Sequence, residues 1–269
     1  MYGGIVLFDM QNNQVQYFSA LELYREKENR YLEVRRLEGR VLSDELVKNL
    51  PNISSVHPFA KEWKWRERSL NRLLKHLATK KSKLRILDLG CGNGWMANRL
   101  AENSNWDVWA VDLNQVELEQ GARLFGRENL RFVYTNVLQG DFPEKNFDII
   151  VLAASVQYFQ NLETLLEQLR KMLNIRGEIH IFDSNFYKNE LQRAAAQKRT
   201  LRYYTQLGVP EMAEFYHHHL WSEAERIGAK NLNNALKIKF LQKIKWLAPF
   251  PWLRFRANMT HANQGQKTP

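Results

Sequence analysis

The feature that most constrains this chain is an alternation. Five short apolar runs, "LRILDLG" (84–90), "DVWAVDL" (107–113), "LRFVYTN" (130–136), "FDIIVLAA" (147–154) and "GEIHIFDS" (177–184), are separated by helix-patterned stretches such as "QVELEQGARLFG" and "NLETLLEQLRKML". Near-continuous apolar runs suit strands buried on both faces, and the intervening helices return the chain across the sheet. The pattern predicts an α/β fold with a doubly wound parallel sheet and helices on both faces. Ligands of such sheets lie at the carboxyl ends of the strands, near the switch point of strand order.

At the end of the first of these strands stands "RILDLGCGNGWMANRL", with Gly90, Gly92 and Gly94 at alternate positions. A phosphate-binding loop would need a lysine and a hydroxyl residue after its last glycine, and "GNGWMAN" has neither. A dinucleotide fingerprint would space its glycines G-x-G-x-x-G. Asp88 precedes Gly90 by two residues. In a low-dielectric crevice its carboxylate would repel a pyrophosphate and suit an ammonium or sulfonium group. Asp112 closes the second strand, where a carboxylate can accept ribose hydroxyls. A ribose joined to a cation points to S-adenosylmethionine. Cys91, the single cysteine, reads as a small filler of the glycine turn and excludes an internal disulfide framework.

"LDLGCGNG" followed by "VDLN" resembles the cofactor-binding motifs of the class I S-adenosylmethionine-dependent methyltransferases, and the resemblance runs from Leu84 to Ser184. It implies a Rossmann-like sheet and S-adenosylmethionine as cofactor. By the same resemblance Asp88 stands near the methionine amino group, and Gly90, Gly92 and Gly94 let the backbone close over the cofactor. Asp112 holds the ribose and Leu113 flanks the adenine. Asn136, where the family often has an acid, and Val137 lie on the adenine side, while Ala153 and Ala154 border the methionine and the methyl group. Asp148 also matches a family position but equally suits the start of a strand. Asn114 reads as a helix cap. "NIRGE" retains only Gly177 of the family's usual turn before the fifth strand.

The resemblance names no general base, and the Pro-Pro-aromatic motif of nucleic-acid amino methyltransferases is absent from "AASVQYF". The catalytic candidates lie in the flank: His217, His218 and His219 of "FYHHHL", with Tyr203 and Tyr204. Adjacent histidines on a helix diverge, and His219 with Glu223 forms a lone i, i+4 pair, so no metal site is expected. A helix and two more strands are expected from Trp221, which leaves residues 186–220 as a helical lid inserted beside the crevice. His57 and the residues from Trp63 to Arg66 are expected to close the cofactor site from the N-terminal side.

The domain reading is an N-terminal hairpin ("GGIVLF" with "VQYF") and helical extension over 1–83, a catalytic domain over 84–256, and a disordered tail over 257–269. Helices are expected over 20–50 and from Lys61 to Leu77. In "LKIKFLQKIKWLAPFPWLRFR" (236–256) the first residues alternate as a strand does, so part completes the sheet. The remainder packs on the core, with a membrane surface or anionic partner as the alternative.

The net charge of +10 divides as +7 over 1–85, −6 over 86–184 and +9 over 185–269. Basic flanks suit RNA or another anionic partner as well as a solvated surface. No run reaches the length of a membrane span, which makes cytoplasmic the default location. The expected activity is methyl transfer to a small organic acceptor. The alternatives are an RNA methyltransferase and a non-catalytic S-adenosylmethionine-binding partner protein. Oligomeric state is not legible.

Overall fold

The computed structural model describes residues 14–80, 83–139, 142–233 and 236–257. Ahead of the glycine loop come β1 (Gln16–Tyr17), α1 (Arg25–Leu37), α2 (Asp44–Asn49) and α3 (Ala60–Leu77). The alternating core follows as β2 (Leu84–Leu89), α4 (Trp95–Leu100), β3 (Trp106–Asp112), α5 (Gln115–Leu124), β4 (Leu130–Tyr134), β5 (Phe147–Ala153), α6 (Leu162–Lys171) and β6 (Leu173–Phe182). The chain continues through β7 (Phe186–Tyr187), α7 (Glu190–Gln206), a 3-10 turn (Pro210–Phe215), β8 (His219–Leu220), α8 (Trp221–Arg226), β9 (Lys230–Asn231), α9 (Leu236–Lys243) and β10 (Leu253–Arg256).

Eight strands form one sheet in the order β1-β4-β3-β2-β5-β6-β10-β9. The pairs from β1 through β6 are parallel, and β10 runs antiparallel to both β6 and β9. From β2 the order grows one way through β3 and β4 and the other way through β5 and β6. The switch point therefore lies between β2 and β5, with Gly90 and Ala154 just past their carboxyl ends.

The two faces of the sheet carry separate clusters. One holds Ile86, Val108, Ala110 and Ile149, together with Leu70, Leu73 and Leu77 of α3 and Val47 of α2. The other holds Leu87, Val111, Ile150 and Ile179 with Leu165, Leu166 and Leu169 of α6. Both helices repeat leucine at i, i+3, i+4 or i+7, so each lays an apolar stripe on the sheet, at about 1.5–3 kcal/mol per fully buried leucine. Asn114 and Asn161 cap α5 and α6 by accepting the N–H of Glu117 and Thr164. Since α3 shares the first cluster with β2, the N-terminal extension is one packing unit with the sheet.

Three local expectations change. The first strand of the N-terminal hairpin and the tail from residue 258 lie outside the described residues. Of "VQYF", Gln16 and Tyr17 pair in parallel with Val133 and Tyr134 at the sheet edge. "NIRGE" lies within β6 rather than in a turn, and a register shift between Phe147 and Ile149 absorbs the irregularity. The strand-like alternation at Leu236 is α9, and the sheet is instead completed by β9 and, ten residues after α9 ends, by β10.

Candidate functional site

A cavity of about 400 Å³ opens at the switch point, within the usual range of small-molecule sites. Its floor is the glycine loop. Gly90, Gly92 and Gly94 have φ of +75°, +55° and +71°, the left-handed region that side chains seldom adopt. A Cβ on Gly90 would fall 2.4 Å from Ser155 Cβ across the switch point, and one on Gly94 would strike Phe132 at 2.3 Å. Two of the glycines thus answer to protein packing; at Gly92, which lines the cavity, a Cβ would first meet the Glu117 carboxylate at 3.2 Å.

Asp88 lines the cavity with Oδ2 buried and, among the described residues, without a hydrogen-bond partner. Burial, and next the charge of Asp112, push its carboxyl up to about 8. Such a group is stable either protonated or opposite a cation. Asp112 is positioned differently. Its Oδ2 accepts the N–H of Gly92 at 2.7 Å, and its Oδ1 accepts those of Leu113 at 2.7 Å and Asn114 at 3.0 Å. Burial raises its pKa, while those three N–H groups work in the opposite direction. With about four acceptor positions on a carboxylate, one remains free for a ligand hydroxyl. Asp112 therefore also shapes the loop.

The remaining cofactor-side candidates converge on the same space. Leu113, Asn136, Val137, Ala153 and Ala154 all line it. Asn136 is partly engaged: Oδ1 accepts the Leu138 N–H at 3.0 Å and Nδ2 donates to Tyr24 Oη at 3.1 Å. Asn114 caps α5 and also reaches the cavity wall. Cys91 is buried at the loop, and burial pushes its thiol well up. Asp148 sits at the opposite end of the sheet, where it accepts the N–H of Arg85 and the amide of Asn174, both at 2.9 Å, so its role is structural.

The catalytic candidates separate. Only His217 reaches the cavity. Burial first, then His219, Lys27 and His218, lower its pKa to about 4, so it is neutral near pH 7. His218 is buried beside Thr200, with Nε2 at 3.0 Å from the hydroxyl, and His219 faces the Val156 carbonyl at 3.2 Å. Tyr204 packs with Val34, Val209 and Met212 in a third apolar cluster, and Tyr203 points outward to bond Glu38 Oε1 at 2.5 Å. These four side chains are structural because the segment 186–220 folds onto α1 and turns them away from the crevice. Met212 and His217 alone carry that segment into the cavity wall.

The N-terminal side supplies more of the wall than the sequence pattern announced. Tyr24, Lys27, Tyr31 and Arg35 of α1 and its approach, together with Arg40, Phe59, Trp63 and Arg66, line it, whereas His57 does not. His57 instead accepts the Phe59 N–H at 3.2 Å. Glu62 holds Arg40 at 2.8 Å and Arg66 at 2.7 Å. The two guanidiniums lie over Phe59 and Trp63, at 4.0 and 5.0 Å from the ring centroids.

Asp183, just past the end of β6, also faces the cavity, accepting the Ser69 hydroxyl at 2.7 Å. Burial pushes its carboxyl up to about 6 against the pull of Ser69, Arg66 and Arg72. It and Ala154 both sit at φ +56°, a strained region for residues other than glycine and one that gathers at ligand sites. An acid ending the fifth strand, as Asp88 and Asp112 end or nearly end the first two, was the available signal in "IFDS".

One further group brings imidazoles and a carboxylate together: His76, Glu178 and His180. The Trp252 indole N–H donates to His180 Nδ1 at 3.1 Å, so Nε2 carries the proton and donates to Glu178 at 3.2 Å. Lys80 meets the same carboxylate at 2.7 Å. This is an ion-pair knot joining α3, β6 and β10.

Residues 86–177 match the family model of a methyltransferase domain. An uncharacterised methyltransferase of Mycobacterium tuberculosis is 27% identical over 96 residues, covering 36% of this chain and 48% of that protein. A demethylmenaquinone methyltransferase of Geobacillus kaustophilus is 27% identical over 130 residues, 46% of this chain and 53% of that protein. The chain thus spans about half the length of these curated relatives. Among solved structures, magnesium protoporphyrin IX methyltransferase from Synechocystis, with bound S-adenosylhomocysteine, superposes with a TM-score of 0.52 at 12% identity, over 85% of this chain and 94% of that one. At that identity the likeness is one of fold.

Proposed function

We propose that this chain, which carries a class I S-adenosylmethionine-dependent methyltransferase domain, transfers a methyl group from S-adenosylmethionine to a small organic acceptor. The residues present fit the cofactor. The buried Asp88 Oδ2, without a partner among the described residues, suits its ammonium group, Gly92 brings bare backbone to the cavity wall, and the remaining acceptor position of Asp112 suits a ribose hydroxyl. Bound there, the cofactor supplies an electrophilic methyl on a sulfonium.

The chain's own residues orient an acceptor and exclude water. The observation that favours a small acceptor is the cover over the strand ends. Tyr31 and Arg35 from α1, Trp63 and Arg66 from α3, and Met212 and His217 from the inserted segment wall one cavity, whereas a polymer needs an open groove. Alignment of nucleophile and methyl is the main contribution expected of such a wall. Where the acceptor is a hydroxyl, thiol or protonated amine, His217 and Asp183 are two cavity-lining groups that stand unprotonated at pH 7 and can take its proton.

Radiolabelled S-adenosylmethionine, offered with the purified protein to a fractionated lysate, tests the reading. Label is expected in the small-molecule fraction. Label in RNA or protein, with none in small molecules, overturns the acceptor class.

A further inference from the structure

We infer that α9 and the turn that follows it form a docking surface for an anionic lipid bilayer. The chain from residue 236 to 257 contains four lysines and two arginines and no acidic residue. Its side chains divide by depth. Leu247, Ala248 and Trp252 are buried and anchor the segment, while Phe240, Ile244 and Trp246 stand 60%, 55% and 50% exposed. Exposed Lys239, Lys243 and Lys245 alternate with them. Three large apolar side chains held in water beside three ammonium groups are the composition of an interfacial segment: the aromatics enter the headgroup region and the lysines meet lipid phosphates.

The patch is held in place. The Trp65 indole N–H donates to the Lys245 carbonyl at 3.2 Å, and the Arg68 guanidinium bonds the Trp246 carbonyl and lies 3.5 Å from the centroid of its ring. Lys61, over the Trp65 ring at 5.0 Å, and exposed Lys64 extend the positive field along α3. Of the two acids of α3, Glu62 is neutralised by Arg40 and Arg66, leaving Glu67 against these cations. The occupant is thus a surface negative over a wide area with apolar depth beneath it. An anionic bilayer has both, whereas RNA offers no depth for Phe240 and Ile244, and a second copy would bring these lysines against the same lysines. A small cleft lined by Arg72, Asp183, Ala248, Phe250 and Trp252 lies beside this segment, and Asp183 also lines the main cavity. Docking there would bring a membrane-resident acceptor close to that wall.

The test is sedimentation with vesicles of phosphatidylcholine alone or with one-third phosphatidylglycerol, at low and high salt, using the full chain. Binding is expected to the anionic vesicles, weakened by salt. Replacing Lys239, Lys243 and Lys245 with glutamine should reduce it about a hundredfold, from the worth of basic residues near an anionic surface. Phe240→Ser with Trp246→Ser should reduce it even at low salt. Both variants should bind S-adenosylhomocysteine as the parent does, which shows that they are folded and separates this inference from the assigned cofactor. No binding to anionic vesicles overturns it. So do equal binding by the variants, tight RNA binding without vesicle binding, and a dimer that the double substitution dissolves.

Discussion

Asp88 and Asp112 face one cavity from neighbouring strands, and the charge of Asp112 adds to burial in keeping the Asp88 carboxyl protonated up to about pH 8. An ammonium-bearing ligand must therefore displace that proton. Binding of S-adenosylhomocysteine at pH 7 should release a proton, and affinity should rise as pH increases from 6 to 8. Calorimetry in two buffers of different ionisation enthalpy measures both, and Asp88→Asn should abolish the release. The sign for stability is opposite: the raised pKa is no burden below the ordinary carboxylate range, and the unliganded protein should lose stability as pH climbs from about 4 to about 8. A flat profile in both would mean that Asp88 is not the group facing the cation.

Asp112 holds the loop and, on the proposed reading, also a ligand hydroxyl. Asp112→Ala strands three N–H groups and should lower the melting temperature as well as cofactor affinity, the latter by roughly 1.5–3 kcal/mol, the worth of the single charge-assisted bond its free acceptor position can make. Asp112→Asn keeps the shape and one acceptor oxygen and should lose less of both. Unchanged affinity in the alanine variant would reduce Asp112 to a turn former.

On the acceptor side, His217→Ala and Asp183→Asn should leave S-adenosylhomocysteine binding intact. The variant that removes the base should lose about 10²–10⁴ in kcat, the range for a positioned acid–base group. If neither slows transfer, proton removal is not assisted from this wall and positioning alone carries the rate.

Glu178 is the anchor of the C-terminal strand, meeting His76, His180, Lys80, Arg254 and Arg256. Hydrogen bonds from His180, His76 and Lys80 outweigh burial and hold its pKa well below the ordinary range. Its stabilisation is therefore complete above about pH 4.5 and fades as pH falls. Glu178→Gln should cost roughly 1–3 kcal/mol in urea unfolding at pH 7, because it removes a buried charge-assisted acceptor from partly exposed Lys80 and Arg254, and the loss should shrink toward acid pH. A loss independent of pH would assign Glu178 to packing alone.

The five strands and the glycine loop were legible because each carries a local signal, either apolar runs of strand length or glycines where φ must be positive. The spacing of Leu70, Leu73 and Leu77 marked α3 in the same way. The acceptor wall was not legible. α1 is so rich in charge that nothing local marks Tyr31 and Arg35 as inward-facing, and only packing against the inserted segment turns them toward the cavity. His217, His218 and His219 are contiguous in sequence, yet an extended backbone sends one to the cavity and buries the others. Leu236 to Phe240 fits periods of two and of four, so the strand and the helix could not be told apart over so short a run.

The central claim is that the glycine loop binds S-adenosylmethionine, and equilibrium calorimetry of S-adenosylhomocysteine against the full chain and Gly92→Val tests it most directly. Valine at φ +55° is strained, and its Cβ would press on the Glu117 carboxylate at 3.2 Å at the cavity edge. The account predicts saturable one-to-one binding to the parent chain and none to the variant, with matching circular dichroism spectra. Absence of binding to the parent, or equal affinity in a folded Gly92→Val protein, would contradict it.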